Sequence, residues 1–119
     1  MSTPLTAKRC VPCEGGIPPL TDAEIAKLLP QVPGWRVVAM EKTSRVMNTL
    51  QKTFQFKDFR EAMAFLRKVG DLAESEGHHP DFYVHYSRVD FTIWTHAIGG
   101  LHENDFILAA KIDKIIKGG

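Results

Sequence analysis

An α+β domain is the fold class that this 119-residue sequence predicts: a four-stranded, mostly antiparallel sheet with helices packed on one face. Three observations predict it. Helix-capping signals at Thr21 and Asp58 each open an apolar run at helical spacing. Period-two alternation marks two paired stretches, from Trp35 to Phe56 and from Phe82 to Trp94, and a last amphipathic run closes the chain. The resulting order is helix, two strands, helix, two strands, helix. One helical layer covers one face of such a sheet and leaves the other as a natural oligomer interface.

Residues 1–20 hold four of the seven prolines (Pro4, Pro12, Pro18 and Pro19) and the Gly15-Gly16 pair, without a sustained period. They read as a flexible N-terminal arm, mobile or wrapped on the surface, ahead of a single domain over 21–119. Thr21-x-x-Glu24 has the form of a capping box; Ile25, Leu28 and Leu29 follow at helical spacing, and Pro30 ends the run. Trp35 to Met40 is rich in strand formers. Val46, Leu50, Phe54 and Phe56 share one face of a second extended segment, joined to the first near Glu41-Lys42-Thr43-Ser44.

Asp58-x-x-Glu61 caps the next helix, whose predicted stripe is Phe59, Ala62, Met63, Leu66, Val69 and Ala73, with Gly77 placed to end it. Phe82, Val84 and Tyr86 alternate with Tyr83 and His85, and Val89, Phe91 and Ile93 with Asp90, Thr92 and Trp94. This is a hairpin pattern. The last helix runs from about Glu103 to Lys117 on a stripe of Leu108, Ala109, Ile112, Ile115 and Ile116, with lysines suited to the dipole at its end.

Lys plus Arg number 15 against 14 for Asp plus Glu, a net charge of +1 that supplies no field for direct nucleic-acid or membrane-surface binding. The opening Met1-Ser2-Thr3-Pro4-Leu5 lacks the apolar core of a signal peptide, and no stretch approaches the roughly 20 apolar residues of a membrane span. A cytoplasmic location is expected. Cys10 and Cys13 admit three readings: an exposed reduced pair, half of a shared metal site, or a redox pair. Neither a second ligand pair nor a βαβ context accompanies them, which favours the first.

All of the five histidines except His102 fall between 78 and 96. If Ser87-Arg88 is a two-residue turn, Phe82 opposes Ile93 and His79 opposes His96, so the His78-His79-Pro80 entry and the His96 exit share one end of the hairpin. The last helix starts nearby, through Ile98-Gly99-Gly100-Leu101, and places Asp105 in its first turn, where its N–H groups favour a carboxylate. Glu74, four residues before His78, could hold that imidazole in one tautomer. Three imidazoles around a cavity suit proton transfer at neutral pH. They equally suit a zinc or iron ion with a carboxylate, or purely structural capping, and the residues alone leave these alternatives open. His85, opposite the apolar strand positions, and His102, at a helix N-cap, are expected to stand apart from the chemistry. Phe54, Phe56, Phe59 and Phe65 are assigned to the core.

Glu76-Gly77-His78-His79-Pro80-Asp81, then Trp94-Thr95-His96, then Gly99-Gly100-Leu101-His102-Glu103-Asn104-Asp105 closely resemble the pterin-4a-carbinolamine dehydratase family. The Trp35 region, Phe56-Lys57-Asp58-Phe59 and Ala109-Ala110-Lys111-Ile112-Asp113 extend the resemblance over about residues 20–117 and leave the arm outside it. The resemblance implies a hydro-lyase that converts 4a-hydroxytetrahydropterin to quinonoid dihydropterin and water, in tetrahydropterin recycling beside an aromatic amino acid hydroxylase. It implies no metal and no cofactor, the pterin being the substrate. His78 and His96 become the leading acid–base residues and His79 chiefly a substrate-binding one. Trp94 and Thr95 lie beside the pterin, Asp105 matches a site carboxylate, Glu74 an acid supporting the first histidine, and Gly77 and Pro80 complete the motif. The resemblance also implies a homo-dimer or homo-tetramer. A noncatalytic pterin-binding or protein-interaction module on the same scaffold is the alternative. The arm, lacking identifiable partners, is expected to be dispensable for turnover. One departure stands out: His102 occupies a position where many relatives carry a Thr or Ser cap.

Overall fold

The computed structural model describes residues 4–11, 16–42 and 45–118. Its principal elements are α1 (Asp22–Leu28), β1 (Arg36–Lys42), β2 (Arg45–Gln55), α2 (Phe59–Glu76), β3 (Asp81–His85), β4 (Arg88–Ile93) and α3 (Glu103–Gly118), with short 3-10 turns at Leu5–Ala7, Leu29–Gln31 and His96–Ile98. The four strands form one sheet in the order β1-β2-β4-β3, and each neighbouring pair is antiparallel. This is the α+β architecture that the sequence predicts.

Both capping signals operate. Thr21 Oγ1 accepts the Glu24 N–H while the Glu24 carboxylate accepts the Thr21 N–H, and Asp58 Oδ1 accepts the Glu61 N–H. Gly77 ends α2 in the left-handed region at φ 66°, a conformation with little cost only for a residue without Cβ. Leu50, Phe54, Val89, Phe91 and Ile93 bury one face of the sheet against α2 and α3. Phe54, Phe65 and Phe91 meet edge-on or tilted, with centroids 5.2–6.0 Å apart. Trp35 closes this core, its indole N–H donating to Asp113 Oδ1 at 3.0 Å, and Lys52 Nζ reaches the same oxygen at 2.8 Å.

The core differs from the predicted stripes in orientation. Phe65 is buried, whereas Phe59 and Met63 are exposed, because α2 turns toward the sheet the face that brings Phe65 between Phe54 and Phe56. Val46 is also exposed, near the end of the β1–β2 hairpin. The β3–β4 hairpin differs in register. Phe82 opposes Phe91 and His85 opposes Arg88, so the turn is Tyr86-Ser87 and not Ser87-Arg88. The partner has slipped by two positions, and an even slip leaves every side chain on its predicted face. Tyr86 takes φ 56°, an uncommon value for a bulky residue.

The N-terminal segment is packed against the domain where it is described. Leu5, 3% exposed, belongs to the core, and its 3-10 turn contacts α3. Leu20 N–H donates to the Leu101 carbonyl, and a Cβ on Gly100 would meet Pro19 Cβ at 2.8 Å. Cys10 is half-buried; burial, then the neighbouring Glu76, pushes its thiol up to about 12, so it is a neutral hydrogen-bond donor and not a thiolate. Cys13 lies outside the described residues.

Glu76 ties this segment to both long helices. Its carboxylate accepts the Cys10 N–H at 2.8 Å and Lys111 Nζ at 2.6 Å, with only 5% of its side chain exposed. Burial alone raises its pKa, but these bonds outweigh burial and hold it below its ordinary 4.5. A depressed carboxylate stabilises the fold fully above its unfolded pKa, and that contribution is lost as pH falls through the folded value. Glu76→Gln is therefore expected to cost about 1–3 kcal/mol in urea unfolding at pH 7. It should also flatten the acid side of the stability profile below pH 4.5. Parallel profiles for parent and variant would contradict this assignment. Tyr86→Gly, by relieving the positive φ, is expected to stabilise the hairpin by about 0.5–1 kcal/mol in the same assay.

Candidate active site

Three chain exits converge at one end of the sheet. α2 stops at Gly77 and releases His78-His79-Pro80 into β3; β4 runs through Trp94 and Thr95 into the His96–Ile98 turn; α3 begins at Glu103. A bridge between Thr95 and Gly100 folds the second exit back on itself, Thr95 N–H donating to the Gly100 carbonyl at 2.9 Å. Between these exits lies an open cavity of about 410 Å³, and His78, His79 and His96 all line it.

Asp105 organises the junction. Its side chain is fully buried and accepts three hydrogen bonds: from His78 Nε2–H at 2.6 Å, Thr95 Oγ1–H at 2.9 Å and the His102 N–H at 2.9 Å. The last is half of a capping box. His102 caps the helix start beside it, its Nδ1 accepting the Asn104 N–H at 3.0 Å, which requires an unprotonated Nδ1. The cap that many relatives make with a Thr or Ser hydroxyl is thus made here by an imidazole.

Glu74 serves a different histidine from the one predicted. Its Oε1 accepts His79 Nε2–H at 2.7 Å, and both groups are largely exposed. The reason is local. Gly77 in the left-handed region breaks the helical spiral, so the i,i+4 geometry that would join Glu74 to His78 does not exist, and His78 turns inward to Asp105. His96 is exposed at the rim and lies flat on Trp94, ring centroids 3.7 Å apart and planes 16° apart. Trp94, Thr95 and Gly77 line the cavity with the histidines, whereas Glu74, Pro80 and Asp105 are outside its lining; Glu74 and Asp105 act through the imidazoles they bond.

His85 stands away from this group, at 3.3 Å from Asp90 Oδ2 on the other end of the hairpin. Among the described residues no group of three or more His, Cys, Asp or Glu side chains is arranged to hold a metal ion, and no helix is long and apolar enough to cross a membrane. Sequence reasoning missed Val11, Asp81, Ala97 and Asn104, which also line the cavity. Asp81 and Asn104 lie within the motif runs and Ala97 follows His96, so adjacency to the histidines could have found them. Val11 carries no such signal, since it lies in the arm.

What the fold and cavity define is an α+β protein with a histidine-lined polar site at a sheet end, its innermost imidazole anchored by a buried carboxylate. The profile of the family described as pterin 4 alpha carbinolamine dehydratase matches residues 18–115. The chain belongs to that family. It is 53% identical over 113 residues to a Methylococcus capsulatus protein named "Putative pterin-4-alpha-carbinolamine dehydratase", covering 93% of this chain and 92% of the relative. A Gloeobacter violaceus protein of the same name, numbered 1, is 50% identical, covering 93% and 92%. Such coverage leaves too few residues for the whole arm to lie outside the similarity. Among solved structures, a transcriptional coactivator/pterin dehydratase from Brucella melitensis superposes with a TM-score of 0.72 at 33% identity, over 82% of this chain and 97% of its own. A pterin dehydratase-like protein identified as a RuBisCO assembly factor in the alpha-carboxysome matches with a TM-score of 0.54 at 25% identity, over 69% and 88%.

Replacing Asp105 by Ala leaves the Thr95 hydroxyl and the His102 N–H without their acceptor at a buried helix start. The expected loss is about 2–4 kcal/mol in urea unfolding at pH 7. A loss under about 0.5 kcal/mol, the scale of an ordinary surface change, would show that the junction does not depend on this carboxylate.

Proposed function

We propose that this protein dehydrates 4a-hydroxytetrahydropterin to quinonoid dihydropterin and water, by acid–base catalysis from its histidines. The observation that carries this reading is the convergence of His78, His79 and His96 on one cavity, with His78 held against a buried carboxylate, in a chain of the dehydratase family. The reaction breaks the C4a–O bond and forms a C4a=N5 double bond. An acid gives a proton to the departing hydroxyl and a base takes the proton from N5, so no electrons are exchanged with an external partner. His78 and His96 supply these two groups, and His79, steadied by Glu74, binds and orients the pterin. Asp105 fixes the tautomer of His78 by accepting its Nε2–H, leaving Nδ1 as the atom that exchanges protons. Trp94 and Thr95 border the ring, and Gly77 and Pro80 shape the turn that presents the histidine pair.

On this reading the protein works in the cytoplasm, recycles pterin beside an aromatic amino acid hydroxylase, and self-associates through the sheet face that α2 and α3 leave uncovered. A noncatalytic role has a structural relative in its favour, the RuBisCO assembly factor. The presence of all three histidines around one cavity favours catalysis over binding alone.

Dehydration of freshly generated 4a-hydroxytetrahydropterin, followed by stopped-flow absorbance, tests the proposal. His78→Ala or His96→Ala is expected to lower kcat by about 10²–10⁴-fold, down to the floor set by the uncatalysed reaction. His79→Ala should raise KM more than it lowers kcat. The double variant His78→Ala/His96→Ala should lose less than the product of the single losses, because both groups serve one proton-transfer step. His85→Ala is the control and should match the parent. Turnover abolished by a chelator and restored by a divalent metal, or a His85 effect equal to that of His96, would overturn the mechanism.

A further inference from the structure

The segment ahead of the domain carries apparatus that the histidine site alone does not explain. Residues 8–11 run along the junction of α2 and α3, held by groups from both helices. Lys8 Nζ lies 2.8 Å from Glu103 Oε2, and Arg9 Nη2 donates to the Ser75 carbonyl at 3.2 Å. Cys10 donates its N–H to Glu76, whose other oxygen holds Lys111, and its thiol to the Asn104 carbonyl at 3.5 Å. Asn104 completes the attachment. Its Nδ2–H donates to the Val11 carbonyl at 2.7 Å and its Oδ1 accepts the Val11 N–H at 3.0 Å, so one side-chain amide satisfies both main-chain groups of a residue 93 positions away.

Asn104 is 2% exposed, next to Asp105 in the first turn of α3. A carboxylate there lacks the donor for the carbonyl, and an aliphatic side chain lacks both partners. This buried clamp fixes a residue that has no part in the core: Val11 is 56% exposed and stands on the cavity wall beside His78, His79, Trp94 and His96. Most of the other lining side chains are polar or titratable. An apolar group held rigidly at the rim has an evident use for a flat heteroaromatic ligand, because it removes part of an apolar ring surface from water.

We propose that residues 8–11 are a strap that builds one wall of the pterin cavity, with Val11 as a substrate contact and Asn104 as the positioning residue that holds it. The proposal rests on the dehydratase reading above and adds a binding element outside the histidine motif. It replaces the expectation that the arm is dispensable for turnover. Because Leu5 is part of the core, truncation would confound folding with binding, and point variants of the full chain separate the two.

The test combines steady-state dehydration, calorimetric binding of 7,8-dihydrobiopterin, which lacks the departing hydroxyl, and amide hydrogen exchange. Val11→Gly is expected to raise KM and the Kd for dihydrobiopterin about three- to tenfold, the range for losing one small apolar contact, with kcat within about twofold. Asn104→Leu, which removes both partners, should produce the same split and speed exchange of the Val11 amide by about tenfold or more, whereas Asn104→Asp, which keeps an acceptor for that N–H, should speed it less. If the Asn104 variants do not fold, Val11→Gly still decides, because the Val11 side chain is exposed. A Val11→Gly protein with parental KM and Kd overturns the strap while leaving the dehydratase reading intact. A parent protein that neither dehydrates nor binds the pterin overturns the dehydratase reading, and the strap's ligand with it.

Discussion

A carboxylate placed out of water must be surrounded by donors, and the site end of this protein is organised by that requirement at Asp105. Its three donors come from three different stretches of chain: the exit of α2, the exit of β4 and the residue before α3. Each bond therefore fixes one segment relative to the other two. The same carboxylate lies in the first turn of α3, where unpaired N–H groups and the helix dipole favour negative charge. One side chain thus caps a helix, joins the two long elements that bracket the cavity and orients the imidazole nearest the core. Loss of any donor would leave a polar group unpaired in an enclosed place, so the arrangement resists piecemeal change.

The sequence disclosed the elements well because each is marked by local chemistry. The Thr21-x-x-Glu24 box, the Asp58 cap and Gly77 sit where they are read, and alternation identifies β3 and β4. What it did not disclose depends on contacts between elements. The turn at Tyr86-Ser87 contains no glycine or asparagine to mark it, so local sequence specifies the facing of the side chains but not the register. The stripe of α2 is apolar over more than one face, and the choice of Phe65 over Phe59 and Met63 is made by the aromatic residues of the sheet. At the site, the three histidines were legible as a group, and Asp105 as a helix-start carboxylate. The pairing of Glu74 with His79 was not, because it follows from how Gly77 redirects the chain.

The arm illustrates the same limit in a stronger form. Its proline and glycine content and its lack of period describe a segment that forms no regular element of its own. They say nothing about attachment made by others. Leu5 finds the core, and Lys8 to Val11 are held by Glu103, Ser75, Glu76 and Asn104 from distant parts of the chain. None of those partners is marked by local spacing. Asn104 reads in sequence as one more polar residue in the first turn of α3, yet its burial and its two hydrogen bonds to the Val11 N–H and carbonyl make it a junction.

The two histidine–carboxylate pairs at the cavity differ in what their surroundings allow them to contribute. Glu74 and His79 meet in water, where an ion pair adds little to stability because solvent screens it and two side chains must be ordered to make it. Stability does not account for that contact. Its effect is to hold an imidazole in one orientation at the mouth of a cavity, which suits a group that meets a ligand. His78 and Asp105 are mostly or wholly out of water, so their bond does both jobs at once, supporting the fold and fixing which ring nitrogen remains available for proton exchange. His96 has a third arrangement, a ring stacked on Trp94 and open to water at the rim. On the proposed dehydratase reading these surroundings suit three roles: an imidazole anchored in a defined tautomer, one in contact with water, and one placed to grip the substrate.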